Sequence, residues 1–358
     1  MNHLAWITTM KTTQKILLND CICGELSTPL ATRNSFPTSR FTNYWLTAAI
    51  YFTTFCILST SSPALAKTLL HESFDDNSLA SRGWYDNTSI TISNSGHFSD
   101  STGSAEFRFL QNHTIPSSGA AIRHLFEETE TIFISYYVKY SANWQGSNMS
   151  AHPHEFQLLT NLESNWAGPA ESHLTAYIEQ NEGRPKLAIQ DTLNVDQTRV
   201  GVDLSNATEN RGTAGCNGHT DGYVGDCYTW GGISRNGKDW VTSEIFFSDE
   251  QGPRYKNDWH HIQAQFSLNS IVDGKGVADG ILRMWYDDEL IMEHTDVLFR
   301  TAQHPNMKFN QLLIAPYIGG SGSPIEQTFW IDELTVSTTK IEITSSIPPS
   351  FPTNVTLK

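Results

Sequence analysis

At 358 residues the chain can hold one large domain plus extras, and its formal net charge of −15 disfavours nucleic acid and anionic membranes as partners. Charged side chains are 17% and aromatic ones 11% of the total, a composition that suits a β-rich protein with a large core or exposed sugar-stacking rings. The acidity weighs mildly against a polyanionic glycan, unless a local basic groove overrides the mean.

Residues 44–58 form an apolar run of signal-peptide length, preceded by Arg33 and Arg40 and followed by Ala64-Leu65-Ala66. The run is short for a membrane span, and the A-x-A site predicts cleavage after Ala66. Residues 1–66 are therefore read as an N-terminal extension plus signal peptide, and the mature chain as secreted or periplasmic, a monomer with no stable membrane insertion. Three of the five cysteines fall in the removed part, leaving Cys216 and Cys227. Two cysteines flanking a Gly/Asn/Asp loop in an oxidising compartment predict a disulfide.

The main domain is expected over 67–340. It opens with Glu72, Asp75 and Asp76 in an apolar-acid-x-Phe-Asp stretch. Residues 131–140 alternate strictly, putting Ile132, Ile134, Tyr136, Val138 and Tyr140 on one face and Phe133, Ser135, Tyr137 and Lys139 on the other. A loop with an exposed-looking Trp144 leads to 154–160. There Phe156 and Leu158 read as core, which sends Glu155 and Gln157 to the opposite surface. The next two strands offer Thr175, Tyr177 and Glu179, then Lys186, Ala188 and Gln190.

Residues 199–256 are a long Gly/Asn-rich insertion around the cysteine pair, a length that marks a lid or a tied excursion. Residues 259–266 alternate again, with His260, Ile262, Ala264 and Phe266 facing the core and His261, Gln263 and Gln265 facing away. Further strands follow at 281–286, which carries Arg283, at 308–317, which ends on Tyr317, and at 327–336, which carries Asp332. Residues 341–358 form a Pro-rich tail. The fold class is all-β, a two-sheet antiparallel β-sandwich. Its carboxamides, imidazole, phenol and carboxylate are expected to line one groove.

Asp258-Trp259-His260-His261, Gly280-Ile281-Leu282-Arg283-Met284-Trp285-Tyr286-Asp287, Leu298-Phe299-Arg300 and Trp330-Ile331-Asp332-Glu333 follow one another in an order that resembles the closing half of concanavalin A-like jelly rolls. The secreted polysaccharide lyase group is the nearest in outline. The resemblance implies that the first and last strands pair. It also implies a structural calcium near their junction, for which Glu72, Asp75, Asp76 and Asp332 are the oxygen donors.

Three chemistries are weighed. β-Elimination of an acidic polysaccharide needs donors that stabilise charge as the proton next to a carboxylate leaves, a base, and an acid for the leaving oxygen. His261, Gln157, Tyr177 and Gln263 are the catalytic candidates by residue type. Glu155, Gln190, Gln265, Lys139, Arg283, Tyr317 and Trp144 are the substrate-binding ones. His261-x-Gln263 is similar to the Gln-x-His of jelly-roll alginate lyases, in reverse order. The alternative is a non-catalytic glycan-binding module, which needs only the rings and amides. A retaining glycoside hydrolase is the third reading, and Glu155-Phe156-Gln157-Leu158-Leu159-Thr160 lacks its second acid.

Overall fold

The structure, a computed structural model, describes residues 66–342 except 120, 148–152, 169–170, 199 and 201–226. The apolar run at 44–58, Cys216, residues 343–358 of the Pro-rich tail and residues 199 and 201–226 of the long insertion lie outside the described residues, as does the Cys227 side chain. The disulfide and signal-peptide expectations fall there too.

The chain forms the expected all-β sandwich of two open antiparallel sheets. The first sheet holds β1 (Thr68–Glu72), β3 (Thr91–Ser93), β4 (Ser104–Phe109), β6 (Thr131–Tyr140), β12 (His260–Ser267), β15 (Gly280–Tyr286), β16 (Glu289–Val297) and β18 (Gln327–Ser337). Its order is β16-β15-β12-β6-β18-β4-β3, and β1 pairs with β18, so the first and last strands meet. The second sheet contains β2 (Tyr85–Asp86), β5 (Ile122–Thr129), β7 (His154–Thr160), β8 (Thr175–Asn181), β9 (Arg184–Asp191), β10 (Cys227–Trp230), β11 (Ile233–Val241) and β17 (Phe309–Tyr317). Its order is β10-β11-β9-β8-β7-β17-β5-β2. A small ladder, β13 (Ile271–Val272) with β14 (Lys275–Gly276), stands apart.

Alternation decides what lies between the sheets. Ile132, Ile134, Tyr136 and Val138 of β6 and Ile262, Ala264 and Phe266 of β12 meet Phe156 and Leu158 of β7 and Leu312 and Ile314 of β17 in one core. Tyr136 packs on Phe156 across the sheets with ring centroids 4.4 Å apart, and Phe266 faces Phe309 at 6.4 Å. Burying each such ring contributes roughly 2–3 kcal/mol.

Hairpin chemistry sets the registers. Asp287 and Asp288 both take positive φ, 46° and 67°, as a two-residue turn between right-twisted strands requires. Glu182 and Gly183 do the same between β8 and β9. Of the potential core histidines, His260 is held by Asp287, the Tyr286 hydroxyl and the Tyr255 carbonyl, as a buried polar ring must be.

Candidate functional site on the second sheet

The outer face of the second sheet is a grid of polar side chains that the strand registers place in rows. In the middle row Tyr85, Arg123, Leu313, Gln157, Tyr177, Ala188 and Asp239 stand opposite one another across β2, β5, β17, β7, β8, β9 and β11. On one side runs Gln311, Leu159, Thr175 and Gln190; on the other, Tyr317, His154, Glu179 and Lys186. Adjacent strands are about 4.8 Å apart, so a chain molecule laid across this row meets a new side chain at each strand.

Within the grid, Arg123 donates from Nη1 to Gln311 Oε1 at 2.7 Å and from Nε to Asp86 Oδ2 at 2.7 Å. Tyr177 donates to Gln190 Oε1 at 2.8 Å. His154 is bonded through Nδ1 to Glu179, which also lies 3.4 Å from Lys186 Nζ. The His154 ring packs 5.0 Å from Tyr177 and 6.3 Å from Tyr317. Burial, with Tyr228 and Glu179 adding to it, holds the Tyr177 phenol well above its ordinary value, so it is a proton donor at neutral pH.

Three buried polar atoms in this grid have no hydrogen-bond partner among the described residues: Gln157 Oε1, Gln311 Nε2 and the Tyr85 hydroxyl. Gln157 is 2% exposed and Gln311 fully buried. A buried amide end without a partner costs about 1–3 kcal/mol, and two such ends on one face mark a place where a ligand completes the bonding. Aromatic rings flank the grid. Trp166, 64% exposed, packs edge-on against Tyr85 at 5.1 Å, and Trp230, 70% exposed, carries the Arg235 guanidinium 5.4 Å over its ring.

No protein-family model matches the sequence, and no curated protein does. Among solved structures the chain is similar to polysaccharide lyases. An endo-β-1,4-glucuronan lyase from Trichoderma reesei shares 14% identity over 70% of this chain and 87% of that one, with a TM-score of 0.42. The alginate lyase vAL-1 from a Chlorella virus shares 12% over 76% and 99%, with a TM-score of 0.46. A marine PL-14 alginate lyase from Aplysia kurodai shares 12% over 76% and 100%, with a TM-score of 0.45.

The expectation of one shared groove needs correction. Gln157, Tyr177, Gln190 and Tyr317 do come together on the second sheet. His261, Gln263, Gln265, Lys139 and Arg283 lie on the outer face of the first sheet, on the far side of the core, because β12 pairs with β6 and β15 and never with β7. That far face is largely self-satisfied. Gln263 clamps the backbone of Ile341 through both ends of its amide, at 2.8 and 3.2 Å, and Arg283 bonds Gln265 and Glu293. Lys340 lies 5.3 Å over the Trp285 ring.

Two further candidates are in the interior. A β-bulge between His154 and Phe156 reverses the parity of β7, so His154 faces out while Glu155 turns into the core, where it accepts a hydrogen bond from Tyr140. Trp144, 4% exposed, packs among Phe109, Tyr140 and Phe329.

The four carboxylates proposed for calcium do not fit a cation as a set. Arg82 bonds both oxygens of Glu72 and also Asp76, and Glu72 accepts from the Trp84 indole. Asp75 takes Thr102 and Ser73, which hold its carboxyl down at about 2, and Asp332 takes the Phe98 and Glu333 amides. Among the described residues no cluster of three or more His, Cys, Asp or Glu side chains could hold a metal ion.

Sequence reasoning passed over Arg123, Gln311 and His154 as site residues. Only the pairing of β5 with β17 brings Arg123 to Gln311. The signal for His154 was the strand itself, and the bulge hid which way it faces.

Proposed function

We propose that the outer face of the second sheet binds an acidic polysaccharide and cleaves it by β-elimination. The observation that carries the reading is the pair of buried carboxamides with one open end each, Gln311 Nε2 and Gln157 Oε1, beside the Arg123 guanidinium that bonds Gln311 Oε1. Elimination requires the substrate carboxylate to accept strong donors, because negative charge builds on it as the neighbouring carbon loses its proton. Arg123 and the Gln311 Nε2 are such donors on adjacent strands, already desolvated, where each bond is worth more than in water, while the open atom of Gln157 is its acceptor Oε1, which suits a hydroxyl of the same sugar.

His154, oriented by Glu179, is the base that takes the proton, and Tyr177 gives its phenolic proton to the leaving glycosidic oxygen. The carbon–oxygen bond breaks as the carbon–carbon double bond forms, so the new end of the chain is an unsaturated uronate. Lys186 stays beside Glu179 and Asp239, at 3.4 and 3.5 Å, and holds the dyad in place. Incubation of the purified protein with polyuronates, followed by ultraviolet absorbance, tests this directly. Growth of the unsaturated product is expected, and hydrolysis to saturated ends would refute it.

One observation favours a glycan-binding module on the same face. Trp166 and Trp230 are exposed rings at its two sides, which suits stacking on sugars without chemistry. Retention on polyuronate columns with no unsaturated product would select that reading.

A further inference from the structure

A second cleft, of about 440 Å³, opens on the outer face of the first sheet, behind the proposed catalytic grid. Its floor is an aromatic pair. Phe98 lies flat on Tyr137 with ring centroids 3.5 Å apart and planes 13° from parallel, and the Phe98 amide is fixed by Asp332 at 2.7 Å. The charged groups around it are carboxylates. Asp75, Asp100, Glu333 and Glu342 line the cleft together with His261, and no lysine or arginine does.

His261 adds the independent sign of an unmet hydrogen bond. It is 2% exposed, Nε2 pairs with the Ser135 hydroxyl at 2.7 Å, and Nδ1, 4.0 Å from Asp288 Oδ1, is buried with no hydrogen-bond partner among the described residues. Burial pulls its pKa down to about 4 against the nearby Asp288 and Asp287, so the ring is neutral and one nitrogen keeps a lone pair. Beneath the cleft, burial pushes the Asp332 carboxyl up to about 7 in spite of two amide hydrogen bonds. The two basic groups at the rim are engaged: His71 lies 3.7 Å from Glu333 and Lys340 lies 3.9 Å from Glu342. A bulge in β18 between Asp332 and Thr335 gives Glu333 a φ of 50°, a conformation that non-glycine residues hold only when their surroundings enforce it.

We infer that this cleft binds an organic primary ammonium group, with its cation over the Phe98–Tyr137 pair and its N–H donors on Glu333, Asp75 and the His261 imidazole. An aromatic face attracts a cation within about 6 Å, carboxylates take its protons, and a neutral imidazole accepts where an imidazolium could not. The ammonium can come from an amino sugar or from a polyamine. The metal reading is less well served, since the described residues contain no metal-binding cluster.

Isothermal titration of the purified protein with glucosamine, spermidine, N-acetylglucosamine and calcium chloride tests the inference. Binding of glucosamine alone assigns the amino sugar as the source, and binding of spermidine, with or without glucosamine, assigns the polyamine. In either case N-acetylglucosamine, which keeps the ring and loses the charge, is expected to bind at least about tenfold more weakly. Glu333→Gln and Phe98→Ala, both at a half-exposed surface, are each expected to weaken amine binding about five- to tenfold. Gln157→Ala, on the opposite sheet, is expected to leave it unchanged, so a failure of the elimination reading does not touch this one. No amine binding, calcium binding alone, equal binding of the N-acetylated sugar, or indifference to both cleft variants would overturn the inference.

Discussion

Glu155 shows how much one side chain's surroundings can cost. It is fully enclosed, its only described hydrogen bond is from Tyr140, and burial pushes its carboxyl from 4.5 to about 8. Between those values the folded chain holds a proton that the unfolded chain has released, so stability falls as pH rises from about 4.5 to about 8. Glu155→Gln removes that dependence while keeping an acceptor for Tyr140. The variant is expected to melt above the wild type by a margin that widens across that pH range, worth a few kcal/mol at its top, and to match it near pH 4. A constant margin would place the proton elsewhere. At Gln157 the logic is reversed, because the orphaned amide is a cost retained in the folded state. Gln157→Leu is expected to raise the melting temperature while abolishing turnover, the pattern of a group kept for a ligand.

At the level of single elements, strict alternation was readable wherever the strand is regular. In β6 and β12 each assigned face is the observed one, down to His261, Gln263 and Gln265 opposite Ile262 and Ala264. β7 begins the same way to the eye, but its bulge adds one residue and exchanges the roles of His154 and Glu155. No local pattern announces a bulge in 154–160, since it arises from how β7 accommodates β8 on one side and β17 on the other. Trp144 misled for a related reason: a tryptophan in a polar loop reads as exposed, and only the packing of Phe329 and Tyr140 shows the loop folding back over the core. The turn between β8 and β9 carries a sharper prediction. Gly183 has φ +73°, and a Cβ there would meet the Phe247 carbonyl oxygen at 2.6 Å. Gly183→Ala is expected to cost about 1–3 kcal/mol, seen as a lower urea midpoint with an unchanged slope. An unaltered midpoint would mean that the 245–247 segment yields.

On the scale of the whole molecule, the sandwich has two outer faces, and they differ in kind. The face of the first sheet is clamped by its own C-terminal segment, with Gln263 on Ile341 and Lys340 on Trp285. The face of the second sheet leaves buried amides open. Sequence patterning identified the polar faces but could not assign strands to sheets, because that depends on pairings more than a hundred residues apart, such as β6 with β12 and β7 with β17. Export is argued from the other end of the chain. If the A-x-A site is used, N-terminal sequencing of the secreted product is expected to begin at Lys67, and retention of residues 1–66 would contradict it. The central claim is that elimination belongs to the second face. The most direct measurement is the initial rate of unsaturated-uronate formation by the wild type, by Gln157→Ala and by His261→Gln, each first checked for a native circular dichroism spectrum. A loss of about 10²–10³-fold in Gln157→Ala with a near wild-type rate in His261→Gln is the predicted result. A rate lost in His261→Gln and kept in Gln157→Ala, or no unsaturated product from the wild type on any polyuronate, would contradict it.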